Sequence, residues 1–424
     1  MSSNIAEPIT IVPPNEPHLG EKTVVQLPSS KSESNRALII QAAYPNIIRL
    51  ENISTAHDTQ LLQQLLHTEA KTINAEDAGT TFRFLTAFYA LSNQKKIITG
   101  TERMQQRPIG ILVDALRQLG AHIHYTNKEG YPPLQLDGYT PNDTTTLEMP
   151  AHISSQFISA VLMGAPLLKK NITIHLKGNI SSLPYILMTV AQMQQSGIHV
   201  EWQPNTQTLH IRGNNIPQPT LFSIENDWSA ASYWYLLFLL GAQPQEKLLL
   251  RGLKKNSLQG DSQIANLMQP FGIHTHYHDE GISLEKNPHS TIPTQLNIDF
   301  TPCPDLAQTL MIAAATKGTT LVMQGLESLK IKETDRIAAM RTELSKIGTL
   351  LEEKNNHWLL KPATLPNLWT TPLLINTYQD HRMAMAFAPL AFLHPLQIEN
   401  SAVVRKSYPH FWNDLATTSL KIMM

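Results

Sequence analysis

The feature that most constrains the fold of this chain is a short unit that recurs along it: a helix-like run, a glycine, and then an alternating strand. Four copies of this unit can be recognised, at residues 115–125, 191–202, 264–277 and 340–352. The glycines that separate helix from strand are Gly120, Gly197, Gly272 and Gly348. Because glycine readily adopts the left-handed conformation that often ends a helix, we predict a left-handed cap at each of them.

Further strand-like stretches lie between these units, at residues 208–211, 247–250, 320–323 and 358–360. Strands therefore outnumber the helices that could cross between them, which predicts mixed α/β sheets with short hairpins rather than a doubly wound parallel sheet. A chain of 424 residues also exceeds what one hydrophobic core usually serves. Two of the units precede residue 225 and two follow it, so we predict two similar domains.

The charge balance argues against broad electrostatic surfaces. Lysine and arginine number 33 against 34 aspartates and glutamates, and no long basic run occurs, so we expect no nucleic-acid or membrane partner. Cys303 is the only cysteine, which excludes an intrachain disulfide and a cysteine metal cluster. Residues 1–20 lack the pattern of a secretion signal, and no stretch approaches a membrane span. These observations predict a cytoplasmic protein.

Residues 30–36 combine two cations, Lys31 and Arg36, with the hydroxyls of Ser30, Ser32 and Ser34, directly before an apolar run at 37–43. Hydroxyl residues at this position can cap a helix, and the free N–H groups of a helix start favour a phosphate or a carboxylate. The segment is therefore a candidate anion site. A capped helix start exposed to solvent would give much the same string.

Other polar clusters precede apolar runs in the first half of the chain. Gly79 lies between Asp77 and Arg83, and Arg107 stands before another predicted helix. Ser154, Ser155 and Gln156 offer neutral hydrogen-bond donors, as do Ser182 and Tyr185 further along. Each cluster alone is equally well explained as an ordinary helix cap.

The second half carries the charged clusters. Residues 330–336 include Lys332, Glu333 and Arg336, for which a surface helix turn is the first explanation. His381 and Arg382 adjoin an apolar helix whose length indicates burial, so their charge needs a partner or a ligand. Asp305 precedes the apolar run at 306–315, where it could cap a helix or act as a base. Arg405 and Lys406 form a further cation pair near the C-terminus.

Taken in this order and at these separations, the clusters closely resemble the 5-enolpyruvylshikimate-3-phosphate synthases, or 3-phosphoshikimate 1-carboxyvinyltransferases, of the enolpyruvyl transferase family. The most specific segments are residues 30–36, 107–110, 154–157, 256–261, 332–336 and 380–385. The resemblance implies an α/β fold of two similar domains, each built from three α/β units with buried parallel helices and outer mixed sheets, an inside-out α/β barrel. It implies one domain at residues 29–225, a second at 1–28 plus 226–424, and an active site in the cleft between them.

The resemblance also implies the reaction. The enolpyruvyl group of phosphoenolpyruvate moves to the 5-hydroxyl of shikimate 3-phosphate and phosphate is released, a step of the shikimate pathway to chorismate and the aromatic amino acids. It implies a monomer that needs no cofactor and no metal, and that glyphosate competes for the phosphoenolpyruvate subsite.

By the same resemblance, the shikimate 3-phosphate residues are Lys31, Ser32, Arg36, Ser154, Ser155, Gln156, Ser182, Tyr185, Asp305, Ser328 and Lys332. The phosphoenolpyruvate residues it implies are Lys31, Gly79, Arg107, Gln156, Arg336, Arg382 and Lys406. Asp305 would accept the proton of the 5-hydroxyl, and Glu333, with Lys31 or Lys406, would deliver a proton to the methylene carbon. His381 would support Glu333.

Four positions depart from the pattern of the family: Ser29, Asp77, Leu183 and Ser328. Ser29 replaces a glycine, which matters if that position needs a positive φ. Asp77 replaces an asparagine and brings a carboxylate towards the expected phosphoenolpyruvate, unless Arg83 neutralises it. None of the four removes a catalytic side chain, so we predict an active enzyme.

Three alternatives stand beside this interpretation. The sister enzyme that uses UDP-N-acetylglucosamine shares the fold and the chemistry, although the paired serines fit a shikimate phosphate better than a nucleotide sugar. A non-catalytic anion-binding relative would keep the cations without the chemistry. A nucleotide-binding P-loop is the weakest alternative, because its glycine and lysine spacing is absent around Lys31.

Overall fold

The structure is a computed structural model that describes residues 8–19, 22–355, 357–363 and 371–423. The chain divides into two compact units, one comprising Met1–Pro28 with Glu225–Met424 and the other Ser29–Ile224. Each unit has its own cluster of buried apolar side chains. The expectation about a secretion signal falls partly on residues 1–7 and 20, which lie outside the described residues.

The α-helices of the described residues are numbered in chain order. They are α1 (Lys31–Ala43), α2 (His57–Leu66), α3 (Gly79–Leu91), α4 (Glu102–Gln105), α5 (Gly110–Gln118), α6 (Ser155–Gly164), α7 (Leu183–Gln195), α8 (Trp228–Gly241), α9 (Ile264–Leu267), α10 (Ala307–Lys317), α11 (Arg336–Ser345), α12 (His381–Phe387) and α13 (Phe411–Leu415). Short 3₁₀ helices cover Ala165–Leu168, Gly260–Gln263, Gln269–Phe271, Pro304–Leu306, Glu327–Ile331, Ala388–Phe392 and Ser401–Lys406.

The strands are numbered in the same way. They are β1 (Ile9–Val12), β2 (Lys22–Gln26), β3 (Ile48–Glu51), β4 (Thr72–Asn74), β5 (Lys95–Thr99), β6 (Ala121–Tyr125), β7 (Leu134–Tyr139), β8 (Thr146–Pro150), β9 (Ile172–Lys177), β10 (Val200–Gln203), β11 (Thr208–Ile211), β12 (Thr220–Ser223), β13 (Lys247–Arg251), β14 (Ile273–His278), β15 (Gly281–Lys286), β16 (Gln295–Asp299), β17 (Thr320–Gln324), β18 (Leu350–Lys354), β19 (His357–Lys361), β20 (Leu373–Ile375), β21 (Leu396–Ile398) and β22 (Lys421–Met423).

The four-stranded sheets share one pattern of pairing. In unit Ser29–Ile224 the orders are β4-β5-β7-β6 and β8-β9-β11-β10, and β3 pairs with β12 in parallel. In the other unit the orders are β2-β13-β15-β14, β16-β17-β19-β18 and β20-β21-β1-β22. Each four-stranded sheet begins with one parallel pair and continues with two antiparallel pairs. Helices such as α3, α6 and α10 connect the parallel pairs, because parallel neighbours need a crossover.

This pairing explains the unit that recurs in the sequence. After the parallel pair, a second helix ends at a glycine and leads into the antiparallel hairpin, as α5 leads into β6 and β7. Gly120, Gly197, Gly272 and Gly348 have φ values of 112°, 80°, 81° and 75°. The predicted left-handed conformation is therefore confirmed at all four glycines.

The helices form the interior of each unit and the sheets lie outside them. Helices α3, α8 and α10 are buried on nearly every face, as expected for helices that are apolar all round. Strands such as β7 and β8 instead alternate buried and more exposed residues, because one face of the sheet packs on the helices. The predicted mixed α/β fold with inner helices and outer sheets is confirmed.

The two ends of unit Ser29–Ile224 are tied to one side chain. Asn52 Nδ2 donates to the Ile224 carbonyl at 2.7 Å, and Asn52 Oδ1 accepts from Ser29 Oγ at 2.8 Å. Ser29 is not among the described residues with positive φ. Serine at this position therefore introduces no backbone strain, and its hydroxyl supplies a hydrogen bond that glycine would lack.

Replacing Gly348 by alanine is expected to lower the free energy of unfolding by about 1–2 kcal/mol, the cost of a left-handed residue with a Cβ. The effect isolates backbone strain, since a Cβ at Gly348 would meet only the Cβ of Ala363, at an ordinary 3.4 Å. Chemical denaturation measures it. Gly348→Asn is the matched control and is expected to lose less, because asparagine tolerates this conformation. Equal losses in the two variants would contradict the explanation.

Among the described residues, no helix is both long and apolar enough to cross a bilayer.

Candidate active site

In unit Ser29–Ile224, the segment at residues 30–36 forms the start of α1. Ser30 is the N-cap, and its Oγ accepts from the Glu33 N–H at 3.3 Å. Lys31 is the first helical residue, and its Nζ lies 2.9 Å from Asp58 Oδ2 at the start of α2. The predicted cap is confirmed, and a buried carboxylate holds the Lys31 ammonium beside it.

Arg36 is buried one turn further along α1, with 2% of its surface exposed. Its Nε donates to Thr189 Oγ1 at 2.7 Å, and its terminal nitrogens donate to the Ser32 carbonyl at 2.8 Å and to Ser159 Oγ at 3.3 Å. Burial lowers the pKa of Arg36 to about 10, although Tyr185 and Glu33 oppose the shift. The guanidinium therefore stays charged at neutral pH and is held among hydroxyls.

The predicted serine clusters lie at the starts of α6 and α7, two helices that pack together. Ser154 is the N-cap of α6, and its Oγ accepts from the Gln156 N–H at 3.3 Å. Ser182 precedes α7 in a left-handed conformation with φ of 56°, and its side chain makes no cap. The Ser181 N–H donates to the Ala151 carbonyl at 3.0 Å, which brings the two helix starts side by side.

Gly79 is the first residue of α3, where two arginines converge. A Cβ at Gly79 would lie 2.5 Å from Arg83 Nη1 and 2.6 Å from Arg107 Nη1. Both arginines are 5% exposed, and Arg83 Nη1 also donates to Gln156 Oε1 at 3.0 Å. The N-cap position is Ala78, which has no side-chain oxygen to cap the helix. Two buried cations at a helix start are favourable to an anion, so this helix start is a candidate anion site.

Asp77, the departure that adds a charge, lies at the edge of this site. Its carboxylate accepts a hydrogen bond from the Thr101 hydroxyl, and its carbonyl lies 3.5 Å from Arg107 Nη1. The Thr101 hydroxyl therefore holds the Asp77 carboxylate, and Thr101 is also the N-cap of α4.

Replacing Gly79 by alanine is expected to raise KM for the anion bound here about 10- to 100-fold, because displaced guanidinium groups lose their alignment. The atoms in the way are the ends of flexible side chains, so the protein is expected to remain folded. Steady-state kinetics test this. Gly110→Ala is the matched control, since the nearest atom to its Cβ would be 3.7 Å away. An unchanged KM in the Gly79 variant would contradict the assignment.

In the other unit, Arg336 is the centre of a buried ionic cluster. Its Nε contacts Asp380 Oδ2 at 2.7 Å, its Nη1 contacts Asp305 Oδ1 at 2.8 Å, and its Nη2 contacts Glu333 Oε2 at 2.7 Å. Only 2% of the side chain is exposed. Burial acts to lower the pKa of Arg336, but the three carboxylates outweigh it and raise that pKa. The expected surface helix turn is wrong for Arg336, because its charge is matched inside the protein.

Asp305 lies in the 3₁₀ turn before α10 and faces three cations. Besides Arg336, its carboxylate contacts Arg382 Nη2 at 3.0 Å and Lys332 Nζ at 3.5 Å. Burial acts to raise the pKa of Asp305, but Arg382, Lys332 and Arg336 outweigh it and hold that pKa well below its usual range. Burial lowers the pKa of Lys332, against the influence of Asp305. Asp305 is the N-cap of no helix among the described residues, so the expected cap is not what holds its carboxylate.

The remaining predicted residues lie near this cluster in sequence or in space. His381 begins α12 and places Nδ1 3.7 Å from Asp380 Oδ1. The prediction that the Arg382 charge needs a partner is confirmed by its contact with Asp305. The buried Ser328 hydroxyl has no hydrogen-bond partner among the described residues. Lys406 ends a 3₁₀ turn and is half-buried.

The sequence indicated no role for Asp380 or Asp58, and for Arg83 only the neutralisation of Asp77. Asp380 is fully buried, caps α12 through the Arg382 N–H at 2.9 Å, and contacts Arg336. Asp58 holds Lys31, and Arg83 converges with Arg107 on Gly79. An aspartate directly before an apolar helix is a cap signal and could have indicated Asp380. No comparable pattern indicates Asp58, which is 27 residues from its partner.

Comparison with known proteins decides the family. The family model described as EPSP synthase (3-phosphoshikimate 1-carboxyvinyltransferase) matches residues 45–415. The chain belongs to the EPSP synthase family. This membership confirms the resemblance drawn from the motifs and disfavours the UDP-N-acetylglucosamine enzyme as an alternative.

Relatives in the EPSP synthase family cover nearly the whole chain. A 3-phosphoshikimate 1-carboxyvinyltransferase of Bacteroides fragilis strain YCH46 is 45% identical over 400 residues, covering 93% of this chain and 94% of the relative. The corresponding enzyme of Vibrio cholerae serotype O1 strain M66-2 is 34% identical over 424 residues, with coverage of 93% and 96%. The 2.37 Å structure of EPSP synthase from Acinetobacter baumannii has a TM-score of 0.76 at 18% identity, covering 99% of this chain and 100% of that one. That structural likeness supports the fold.

Proposed function

We propose that this member of the EPSP synthase family transfers the enolpyruvyl group of phosphoenolpyruvate to the 5-hydroxyl of shikimate 3-phosphate. The products are 5-enolpyruvylshikimate 3-phosphate and phosphate, a step of aromatic amino-acid biosynthesis. The observation that carries the proposal is the Asp305 carboxylate, held by Arg336, Arg382 and Lys332 within 2.8–3.5 Å and joined to Glu333 through Arg336. A base, an acid and a set of cations for anionic substrates are thus present in one unit.

The proposed roles of these groups follow from their chemistry. Asp305 accepts the proton of the 5-hydroxyl as its oxygen bonds to the central carbon of phosphoenolpyruvate. Glu333, with Lys31 or Lys406, delivers a proton to the methylene carbon, and a tetrahedral intermediate forms. The intermediate then loses phosphate and one proton of its methyl group, which restores the carbon–carbon double bond and gives the enol ether product. His381 is proposed to support Glu333 from the start of α12.

The pKa of Asp305 needs a reason to rise before the carboxylate can act as a base. Three cations hold that pKa low in the free protein. Bound phosphate and carboxylate groups compete for the same cations, which weakens their hold on Asp305. We therefore propose that substrate binding itself raises the pKa of Asp305 towards the range in which it accepts a proton.

The proposed shikimate 3-phosphate residues of unit Ser29–Ile224 lie on helix starts that pack together. Arg36 and Ser32 are proposed to hold the carboxylate, and Ser154, Ser155, Ser182 and Tyr185 the phosphate, with Gln156 against the ring. Asp305, Lys332 and Ser328 are proposed to hold the hydroxyls. The Ser328 hydroxyl, which lacks a partner among the described residues, supports its assignment.

The proposed phosphoenolpyruvate residues are mostly arginines and lysines, which suit phosphate and carboxylate. They are Lys31, the Gly79 backbone, Arg107, Gln156, Arg336, Arg382 and Lys406. The convergence of Arg107 on Gly79 supports this assignment. Asp77 adds a negative charge at the edge of this set, where Thr101 holds its carboxylate and its carbonyl lies 3.5 Å from Arg107 Nη1, so we expect it to weaken phosphoenolpyruvate binding.

We also propose that the enzyme acts as a monomer in the cytoplasm, which light scattering and cell fractionation would test.

The steady-state rate of phosphate release tests the reaction. We expect release from phosphoenolpyruvate with shikimate 3-phosphate and none with UDP-N-acetylglucosamine as the acceptor. The opposite preference would reverse the assignment. A protein that binds shikimate 3-phosphate but releases no phosphate would favour the non-catalytic relative.

A further inference from the structure

The segment at residues 256–261 is among the strongest motifs of the sequence, yet no substrate or proton role falls to it. Its residues wrap around the start of α8. Gln259 Oε1 accepts from the Trp228 N–H at 3.0 Å, and Gln259 Nε2 donates to the Asn226 carbonyl at 2.8 Å. Ser257 Oγ donates to Glu225 Oε2 at 2.6 Å. The segment therefore sets the position of the first turn of α8.

The motif ends at Asp261, a fully buried carboxylate that accepts the hydroxyl hydrogen of Ser229 in that first turn. Ser229 Oγ in turn lies 3.3 Å from Arg382 Nη2. A carboxylate only accepts hydrogen bonds and a guanidinium only donates them. The hydroxyl between them can therefore be oriented in one way, with its hydrogen towards Asp261 and a lone pair towards Arg382.

A second hydroxyl of α8 contacts the same arginine. Tyr233, one turn after Ser229, places its hydroxyl 3.3 Å from Arg382 Nη1. Burial raises the pKa of Tyr233 to about 12, against the influence of Arg382 and Arg336, so the phenol keeps its proton at neutral pH. Ser229 and Tyr233 thus give each terminal nitrogen of Arg382 a neutral acceptor on one rigid helix.

These acceptors matter because Arg382 also contacts Asp305, at 3.0 Å through the carboxylate and 3.4 Å through the carbonyl. If Asp305 alone positioned Arg382, any movement of that carboxylate during proton transfer would move the cation as well. Anchors on α8 hold the guanidinium independently of the base.

We propose that Ser229 and Tyr233 are positioning residues that fix Arg382 for phosphoenolpyruvate, and that Asp261 acts through Ser229 by orienting its hydroxyl. The proposal rests on the proposed function of Arg382. It gives the motif at residues 256–261 a role in substrate affinity that acts through Arg382.

The primary test is Ser229→Ala. Losing a hydrogen bond to a charged group is expected to raise KM for phosphoenolpyruvate about tenfold. KM for shikimate 3-phosphate is expected to stay within about twofold, because most of its proposed ligands belong to unit Ser29–Ile224 and Asp305 keeps its contacts with Arg336 and Lys332. Tyr233→Phe is expected to act in the same direction and serves as the second variant if the first fails to fold. Ser229→Thr keeps the hydroxyl and is expected to restore part of the affinity.

Ser232→Ala is the matched control. Ser232 is buried on the same helix, and its hydroxyl contacts the Ser229 carbonyl at 2.7 Å and Thr309 Oγ1 at 3.2 Å rather than the arginine. Its removal tests whether any lost hydroxyl on α8 lowers affinity through the fold alone. We expect both KM values to remain at the wild-type level.

The role of Asp261 is tested by additivity. Asp261→Asn is expected to raise KM for phosphoenolpyruvate about threefold in the wild type and to add nothing in the Ser229→Ala background, because coupled residues are not additive. Fully additive effects of Asp261→Asn and Ser229→Ala on this KM would show that Asp261 does not act through Ser229. An unchanged KM in both Ser229→Ala and Tyr233→Phe, or an equal rise in both substrates' KM values, would overturn the proposal as a whole.

Failure of the proposed function is a separate result. Titrating phosphoenolpyruvate into Asp305→Asn protein saturated with shikimate 3-phosphate gives a Kd while turnover is slowed by about 100-fold or more. Suppose that the wild type releases no phosphate while adding Ser229→Ala still raises the Kd for phosphoenolpyruvate. That pair of results would support the positioning role and overturn only the proposed reaction.

Discussion

Replacing Asp305 by asparagine is expected to lower kcat by about 100- to 10,000-fold, the usual contribution of a general base. The substitution keeps the size of the side chain and removes its negative charge. Affinity for phosphoenolpyruvate should not fall and is expected to rise, because Arg382, Arg336 and Lys332 lose a competing carboxylate. Steady-state kinetics and ligand titration together measure both quantities.

Asp299→Asn is the matched control for this prediction. Asp299 belongs to the same unit, six positions earlier, and its carboxylate accepts the Thr301 N–H at 2.8 Å. It is expected to leave kcat unchanged. A kcat within about threefold of wild type in Asp305→Asn would contradict the role of Asp305 as the base. A collapse of kcat together with lost binding of both substrates would indicate a structural role instead.

Replacing Arg336 by methionine is expected to lower the free energy of unfolding by about 3–5 kcal/mol, the cost of leaving buried charges without their partner. The variant would leave three carboxylates without the cation that they share, those of Asp305, Glu333 and Asp380. Urea denaturation at neutral pH measures the loss. Arg341→Met on the same helix is the control, since its guanidinium lies over the Trp358 ring at 5.5 Å and donates to the Leu351 carbonyl at 3.0 Å, contacts whose loss is expected to cost about 1–2 kcal/mol.

The same variant carries a prediction about pH. The pKa of Asp305 is depressed in the folded protein, so its ionisation stabilises the fold at pH values above the unfolded pKa of about 3.9. That stabilisation is lost as the pH falls below this value. Arg336 supplies part of this stabilisation. The loss of unfolding free energy in Arg336→Met should therefore be full at neutral pH and become smaller below about pH 4. A deficit that grows on acidification would contradict the ionic explanation.

The local elements of this fold could be predicted because short-range rules decide them. The glycines that end helices, such as Gly120 and Gly348, are in the left-handed conformation that only their lack of a Cβ makes inexpensive. Ser30 caps α1 and Asp335 caps α11, because a side-chain oxygen beside a helix start finds free N–H groups there.

The partners of the charged residues could not be predicted in this way. The string at residues 330–336 suits a surface turn, yet Arg336 is buried because Asp380, 44 positions away, lies against it. Asp58 and Lys31 are likewise brought together by the packing of α1 on α2. Sequence spacing carries no information on such contacts, since any acidic residue of the chain could supply them.

The amino-acid sequence by itself determined the mixed α/β class and the repeating unit, because periodicity and glycine conformation are local properties, and its motifs supplied the candidate anion-binding side chains through the family resemblance. Only the tertiary structure decided how those side chains are used. It placed three cations on Asp305, which lowers the pKa of the proposed base, and it set Asp261 behind Ser229 and Arg382. The physical reason is that charge and hydrogen-bond direction depend on neighbours in space, and burial strengthens both.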